Sequence, residues 1–465
     1  MCIARSVASL IFSIGAQAAS FHAGPAVVLS FLIAGVVCGA AVMCYAEFAS
    51  MIPVAGSAYT FTYTTVGEIV AWVIGWDLIL EMLMAGSVVS KYWGVYLNQF
   101  FELIGWNINT NIAIGSFNFD LAPVIIVAFF TALLVMGTKI GARVDGALTI
   151  LKIAIVVFIV VVGFFYIKAE NFTPFIPPSE PAASTDGSGV SAVMEQPLWQ
   201  WATGMAPSIY GVTGIISGAA LVFFAFLGFD VVATASEETI NPKKNVPLGI
   251  GVGLGLIIVL YTLVAIVTTG MVSYKDLAKQ SDPSLAVAFK MVGADWAAKI
   301  ISLGIVIGMA TVVMVLLLGL TRVVFAMSRD GLLPRGLSHT GKHGTPVRLQ
   351  IIVGVVMALI AACCNVGILS DMVNIGTLSA FTLVAISIPI MRKKRPDLER
   401  SFKIPGNPWV PILIAIANLW LMVNLSVLTW IRFVVWLIVG FAIYFGYGYR
   451  HARLGAGELE VAAQE

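Results

Sequence analysis

Apolar runs long enough to cross a bilayer recur along this 465-residue chain, separated by short polar breaks, and no other feature narrows its fold so far. Reading the runs against the breaks gives one partial helical span at about 3–17. Eleven full ones follow, near 26–49, 69–91, 121–138, 146–167, 214–235, 248–272, 297–327, 349–365, 372–391, 410–427 and 431–447. A crossing takes about 20 apolar residues, and the 59% of the chain that is apolar suits a dozen of them. Charged residues are 11%, against roughly 25% in soluble proteins. With mean hydropathy at +0.98, a soluble enzyme is excluded. A net charge of +2 offers no basic surface for nucleic acid, and the five cysteines show neither metal-ligand nor disulfide-framework spacing. The chain reads as an all-α polytopic membrane protein of 11–12 spans, in contact with lipid.

Lysine and arginine set the orientation. With the N-terminus cytoplasmic, the outer segments hold just Lys168, Lys275, Lys279, Lys290, Lys299 and Arg432. The inner segments then hold most of the rest, including the run Arg392-Lys393-Lys394-Arg395. This matches the positive-inside rule and places both termini in the cytoplasm, at a plasma or bacterial inner membrane. Two outer connections are long. Residues 92–120 carry no lysine, arginine or cysteine, and 168–213 include a Pro/Ser/Ala/Gly-rich stretch at 177–189 that reads as a flexible loop. Asn171-Phe172-Thr173 matches a glycosylation pattern. The first twenty residues admit two readings. Arg5, a short apolar run and Ala16-Gln17-Ala18 fit a signal peptide cleaved before Ala19; the rival is half of a first span.

Ionisable groups at bilayer depth cost at least ~2.5–3.5 kcal/mol, so each marks a candidate site. Lys152 lies about a turn and a half into the fifth span. It either ties together the carbonyls of neighbouring helix ends or serves as a cation substitute and proton carrier. Asp77 and Glu81 are four apart, on one face of the third span. Asp77 is expected near the inner interface, whereas Glu81, a turn deeper, either lines a path or pairs with a buried donor. Glu47, Glu237 and Glu238 are expected to form inner-face ion pairs with Arg322 or Arg329. The segment FFAFLGFD at 223–230 reads either as a lipid-facing aromatic stripe or as a discontinuity in the sixth span, closed by Asp230. Unwound backbone there frees carbonyls for a substrate ammonium. No catalytic constellation, phosphate-binding loop or metal site is found around His22, His339, His343 or His451, so no enzyme and no cofactor is expected.

Five ordered motifs carry a resemblance. CYAEFASMIPVAGSAYTFTYTTVGE (44–68), GWDLILE (75–81), VFFAFLGFDVVATASEETINPKKNVP (222–247), TRVVFAMSRDGLLP (321–334) and NIGTLSAF (374–381) are similar to the amino acid–polyamine–organocation superfamily. Within it they most resemble the cationic amino acid transporter family and its bacterial members, over about 22–450. The resemblance implies a single transporter domain, 1–451, with a cytoplasmic tail at 452–465. Two inverted five-helix repeats, about 3–167 and 212–391, precede two further helices at about 410–447, and the first and sixth spans are broken at the midplane. It also implies sodium-independent, commonly proton-coupled movement of L-amino acids by alternating access.

By that likeness, carbonyls around Phe224, Ala225 and Leu227 take the α-ammonium, and Phe229 shapes or gates the pocket. Lys152 sits between the first and eighth spans, and Glu81 faces the cavity. Glu47, Glu237 and Arg322 belong to the inner gate. The family's Gly-Ser/Thr-Gly break in the first span, which binds the substrate carboxylate, aligns with Ala8-Ser9-Leu10. Ser9 keeps the middle position, and Leu10 sets a bulky side chain where backbone must approach ligand. The alignment favours a truncated first span over a signal peptide. The alternative function is a non-transporting sensor or a defective, truncated permease. A disulfide-linked heavy chain is not expected, because 92–120 lacks the bridging cysteine.

The eighth-span stretch Val312–Leu318, VVMVLLL, is wholly apolar. If it lines the side-chain pocket, it gives a guanidinium no partner, which favours small or medium neutral amino acids over arginine and lysine. In uptake of labelled alanine, unlabelled alanine should therefore compete well and arginine poorly. Clear dominance by arginine would contradict the neutral preference.

Overall fold

The computed structural model describes residues 11–51, 59, 62–63, 67–106, 110–114, 117–137, 142–182, 190–226, 242–280, 283–341, 345–394, 396, 400 and 402–452. Most described elements are helices, and the only described strands form two short antiparallel pairs in connections. Bilayer physics dictates this, since lipid cannot satisfy backbone N–H and C=O groups and a helix satisfies its own. Six described helices are long and apolar enough to cross a membrane, and five shorter apolar ones accompany them. The chain is a multi-pass membrane protein.

The first span is Ile11–Ala18, continued by a π-helical turn at Ala19–Ala23. Gly24, at φ 58°, and Pro25 separate it from the second span, Val27–Met51. The third, fourth and fifth are Glu68–Leu103, Leu121–Val135 and Ala142–Phe164. The sixth begins at Gly211, and its α-helix ends at Val222. The seventh and eighth are Pro242–Met271 and Asp295–Arg329. The ninth to twelfth are Val347–Cys363, Val366–Lys394, Trp409–Met422 and Val427–Ile443.

The third helix runs twelve residues beyond its expected end at 91. At 1.5 Å per residue its 36 residues span about 54 Å, well past a ~30 Å hydrocarbon core. Gly94 does not stop it, because Gly94 lies against Ala122 of the fourth span. This helix is the spine of the fold, packed along both the eighth and the tenth spans, while the second span pairs with the seventh. Small residues let these backbones close in: Gly86 faces Met357, Gly163 faces Val267 and Gly304 faces Ile155.

The connection between the fifth and sixth spans is packed on both sides of the Pro/Ser/Ala/Gly-rich stretch at 177–189, most of which lies outside the described residues. Lys168 N and Asn171 Nδ2 both donate to the Gly270 carbonyl, at 2.9 and 2.7 Å. The amide of the glycosylation tripeptide is therefore engaged. Further on, Leu198 N donates to Leu425 O at 3.0 Å and Trp199 Nε1 to Asn424 Oδ1 at 2.8 Å. The connection is thus a strap from the seventh span to the turn between the eleventh and twelfth.

An aromatic stack fastens the twelfth span to the third. Trp76 and Trp436 lie 4.4 Å apart, and Trp76 Nε1 donates to the Trp436 carbonyl at 2.9 Å. Tyr444 OH donates to Glu68 Oε1 at 2.8 Å. Gly440 makes room for the stack, because a Cβ there would sit 2.5 Å from Trp76 Nε1. Overpacking costs roughly 1–3 kcal/mol, so Gly440→Ala should lower the thermal unfolding midpoint measured by tryptophan fluorescence. Gly255→Ala, where a Cβ meets open space, should leave it unchanged or raise it.

Candidate substrate and coupling site

The outer half of the sixth span is clamped to the end of the first. Tyr210 holds φ 61°, a conformation rare for a bulky residue. It is held there from two sides: its N–H donates to the His22 carbonyl at 3.0 Å, and its hydroxyl to the Ser20 carbonyl at 2.6 Å. Gly214 lets the two backbones touch, since a Cβ there would collide with the His22 carbonyl. Ser30 Oγ of the second span donates to Ile215 O at 2.7 Å.

After Val222 the α-helix gives way to a tighter 3₁₀ turn, Phe223–Phe226. All four residues are buried, which overturns the lipid-facing stripe. Aromatic rings hold the turn: Phe223 meets Phe381 of the tenth span edge-on at 5.9 Å, and Phe226 lies 5.3 Å from Tyr261 of the seventh. Asn374 Nδ2, on the tenth span, donates to the Leu221 carbonyl at 3.3 Å. Carbonyls in the last turn of an α-helix lose their i+4 donors, so such a partner matters there. Phe224 and Ala225 thus lie at a change of helix type inside the protein. Ser9, Leu227, Phe229, Asp230 and Glu237, together with Glu238, lie outside the described residues.

Lys152 is buried, and its stem lies beside the eighth span, where a Cβ on Gly308 would be 3.4 Å from its Cγ. That agrees with a place against the eighth span. Glu81 is buried on the third span. Asp77 is not at an aqueous interface as expected; it is fully buried and accepts the Ser379 hydroxyl of the tenth span at 2.7 Å. Leu316 of the apolar VVMVLLL run faces Gly86 of the third span, so part of that run serves helix packing.

The carboxylate expected in an inner-face ion pair has partners that the sequence did not suggest. Glu47, fully buried, accepts from Arg392 Nε and Nη2 at 2.7 and 2.6 Å and from Ile404 N at 2.9 Å. Arg400 approaches to 3.9 Å. Beyond the arginines expected for it, Glu47 thus ties the second span to the end of the tenth and to the connection that follows. Arg322 is half-buried on the eighth span. Arg329 lies 3.4 Å from Asp330, which in turn accepts the Tyr59 hydroxyl at 3.0 Å. Burial, with the Asp330 carboxylate beside it, pushes the Tyr59 hydroxyl up, so it remains a donor. Sequence reasoning missed Tyr59, Asp330, Asn374, Ser379 and Arg392. The first four lie in or next to the quoted motifs without a charge that stands out in a span, and Arg392 reads as an orientation signal. Among the described residues no group of His, Cys, Asp or Glu is arranged to hold a metal ion.

The amino acid permease family profile matches residues 2–445. The chain belongs to this family. It is 40% identical over 452 residues to the methylthioribose transporter of Bacillus subtilis, covering 96% of this chain and 90% of that protein. To the branched-chain amino acid permease BcaP of the same organism it is 41% identical over 442 residues, covering 93% and 88%. Against a vacuolar cationic amino acid transporter of Arabidopsis thaliana it is 35% identical over 402 residues, covering 85% and 59%. These relatives are transporters, not enzymes.

Breaking a buried ion pair from one side costs roughly 3–5 kcal/mol because it strands the other charge. Glu47→Gln should therefore lower the thermal midpoint sharply, and the double variant with Arg392→Gln should recover part of the loss. A single variant as stable as wild type would contradict the assigned pairing.

Proposed function

We propose that this permease is a secondary active transporter of L-amino acids, small or medium neutral ones first, driven by protons and independent of sodium. The observation that carries the reading is the end of the sixth span's α-helix at Val222, followed by the buried turn Phe223–Phe226. Where an α-helix tightens to a 3₁₀ turn its carbonyls have poorer internal bonds, and where such a helix unwinds inside a membrane protein they are available to an ammonium group. Carbonyls around Phe224, Ala225 and Leu227 take the substrate ammonium, with Phe229 at the pocket wall. Ser9, at the corresponding place in the first span, faces the carboxylate. The clamp between His22 and Tyr210 keeps the two spans together while they do so.

Lys152 is the coupling residue. A lysine is a cation that one proton makes or removes, and this one lies against the eighth span, where such a charge ties spans together. Glu81 and Asp230 supply the opposite charge in the cavity. One proton falling through one pH unit releases ~1.4 kcal/mol, enough for about tenfold accumulation of a neutral solute. Alternating access then proceeds by the rocking of two inverted repeats, about 3–167 and 212–391, with Glu47, Glu237 and Arg322 at the inner gate and both termini cytoplasmic. A neutral substrate suits the buried Val312 and Val313, and the similarity to BcaP, named for branched-chain amino acids, supports it.

The test is uptake of a mixed labelled amino acid pool into proteoliposomes without sodium. An inward proton gradient should stimulate it, and Lys152→Ala should abolish the stimulation. Amino acid binding without uptake would favour a sensor instead, and uptake indifferent to the gradient would refute proton coupling.

A further inference from the structure

Asn374 is fully buried on the tenth span, and its two polar atoms differ in what they meet. Nδ2 donates to the Leu221 carbonyl, three residues before Phe224, which fixes the orientation of the amide. Oδ1 has no hydrogen-bond partner among the described residues. An amide is planar and small, so Oδ1 lies one amide width from the Nδ2 that reaches that carbonyl, near the point where the α-helix ends. A buried acceptor left unsatisfied costs roughly 1–3 kcal/mol, and natural structures rarely tolerate it without a function or a ligand. The ring of Phe381, seven residues on along the same span, closes on Phe223, so this stretch of the tenth span covers the turn from one side.

We infer that Asn374 Oδ1 is an acceptor for the α-ammonium of the bound amino acid. This rests on the reading that an amino acid occupies the turn after Val222. An ammonium group directs its N–H bonds tetrahedrally, and carbonyls from one short segment of the sixth span approach it from one side. An acceptor on a different span is needed to meet an N–H that points away from that segment, and Asn374 supplies one already held in place through its own Nδ2. The bond to an ionised donor is of the stronger kind. The tenth span thereby senses whether the site is filled and contributes to the choice of a primary ammonium.

Half-saturation of labelled L-alanine uptake and its inhibition by N-methyl-L-alanine are to be measured in proteoliposomes for wild type, Asn374→Ala and Asn374→Asp. Wild type should prefer the unmethylated ammonium by about tenfold or more, the scale of one charged hydrogen bond. Asn374→Ala should raise the half-saturation concentration and shrink that preference at least severalfold. Asn374→Asp, isosteric and, with one proton, still a donor to the Leu221 carbonyl as well as an acceptor, should keep the preference and guards against a fold defect in the alanine variant. A preference unchanged in Asn374→Ala would overturn the inference and leave Asn374 as a helix-positioning residue or the host of an ordered water. Equal loss in Asn374→Asp would overturn it too. Saturable alanine uptake by wild type keeps the transport reading intact in both cases; its absence would remove that reading, and this inference with it.

Discussion

A bilayer offers no water to a peptide group, and that constraint governs the structure around Val222. A helix that stops inside the membrane leaves carbonyls without donors, a cost of several kcal/mol unless protein or ligand meets them. The structure meets it with side chains and backbone from elsewhere. Asn374 reaches the Leu221 carbonyl near the end of the helix and Tyr210 the Ser20 and His22 carbonyls at the end of the first span, while Ser30 adds a bond to the Ile215 carbonyl within the helix. Each bond joins the sixth span to the first or is made from the second or tenth. The candidate site and the contacts that hold these spans together are thus one set of interactions.

Around this centre, other spans are fixed by interactions of a different kind. The third helix, buried for most of its length, carries Asp77 against Ser379 and Trp76 against Trp436. The strap after the fifth span is held by backbone bonds to Gly270 and Leu425. On the predicted cytoplasmic side, Glu47 with Arg392 and Tyr59 with Asp330 bind the second span and the segment after it to the tenth and eighth. Those inner contacts are ionic or charge-assisted.

Much of the fold is legible in the sequence because hydropathy reports bilayer crossing directly. The second, eighth and tenth spans lie where their apolar runs place them, and the aromatic run at 223–226 marks the change of helix type. What the sequence does not carry is which surfaces meet. Residues 92–103 read as a loop because they are polar and aromatic, yet they continue a helix whose Gly94 packs on Ala122. Asp77 reads as an interfacial charge because position along a span does not disclose depth of burial, and its partner Ser379 lies 302 residues away. Arg392 reads as one of a basic run that sets orientation, and only packing reveals that it is a partner of Glu47.

The claim on which this account turns is that backbone after Val222 is a ligand site. Hydrogen–deuterium exchange of peptides over 211–222 and 223–226 in nanodiscs, with and without transported amino acid, reads it directly. Amides of a regular, buried helix exchange slowly whether or not ligand is present. Exchange over 223–226 should be faster than over 211–222, and bound amino acid should protect 223–226. Equal, slow exchange in both peptides with no response to amino acid would contradict it.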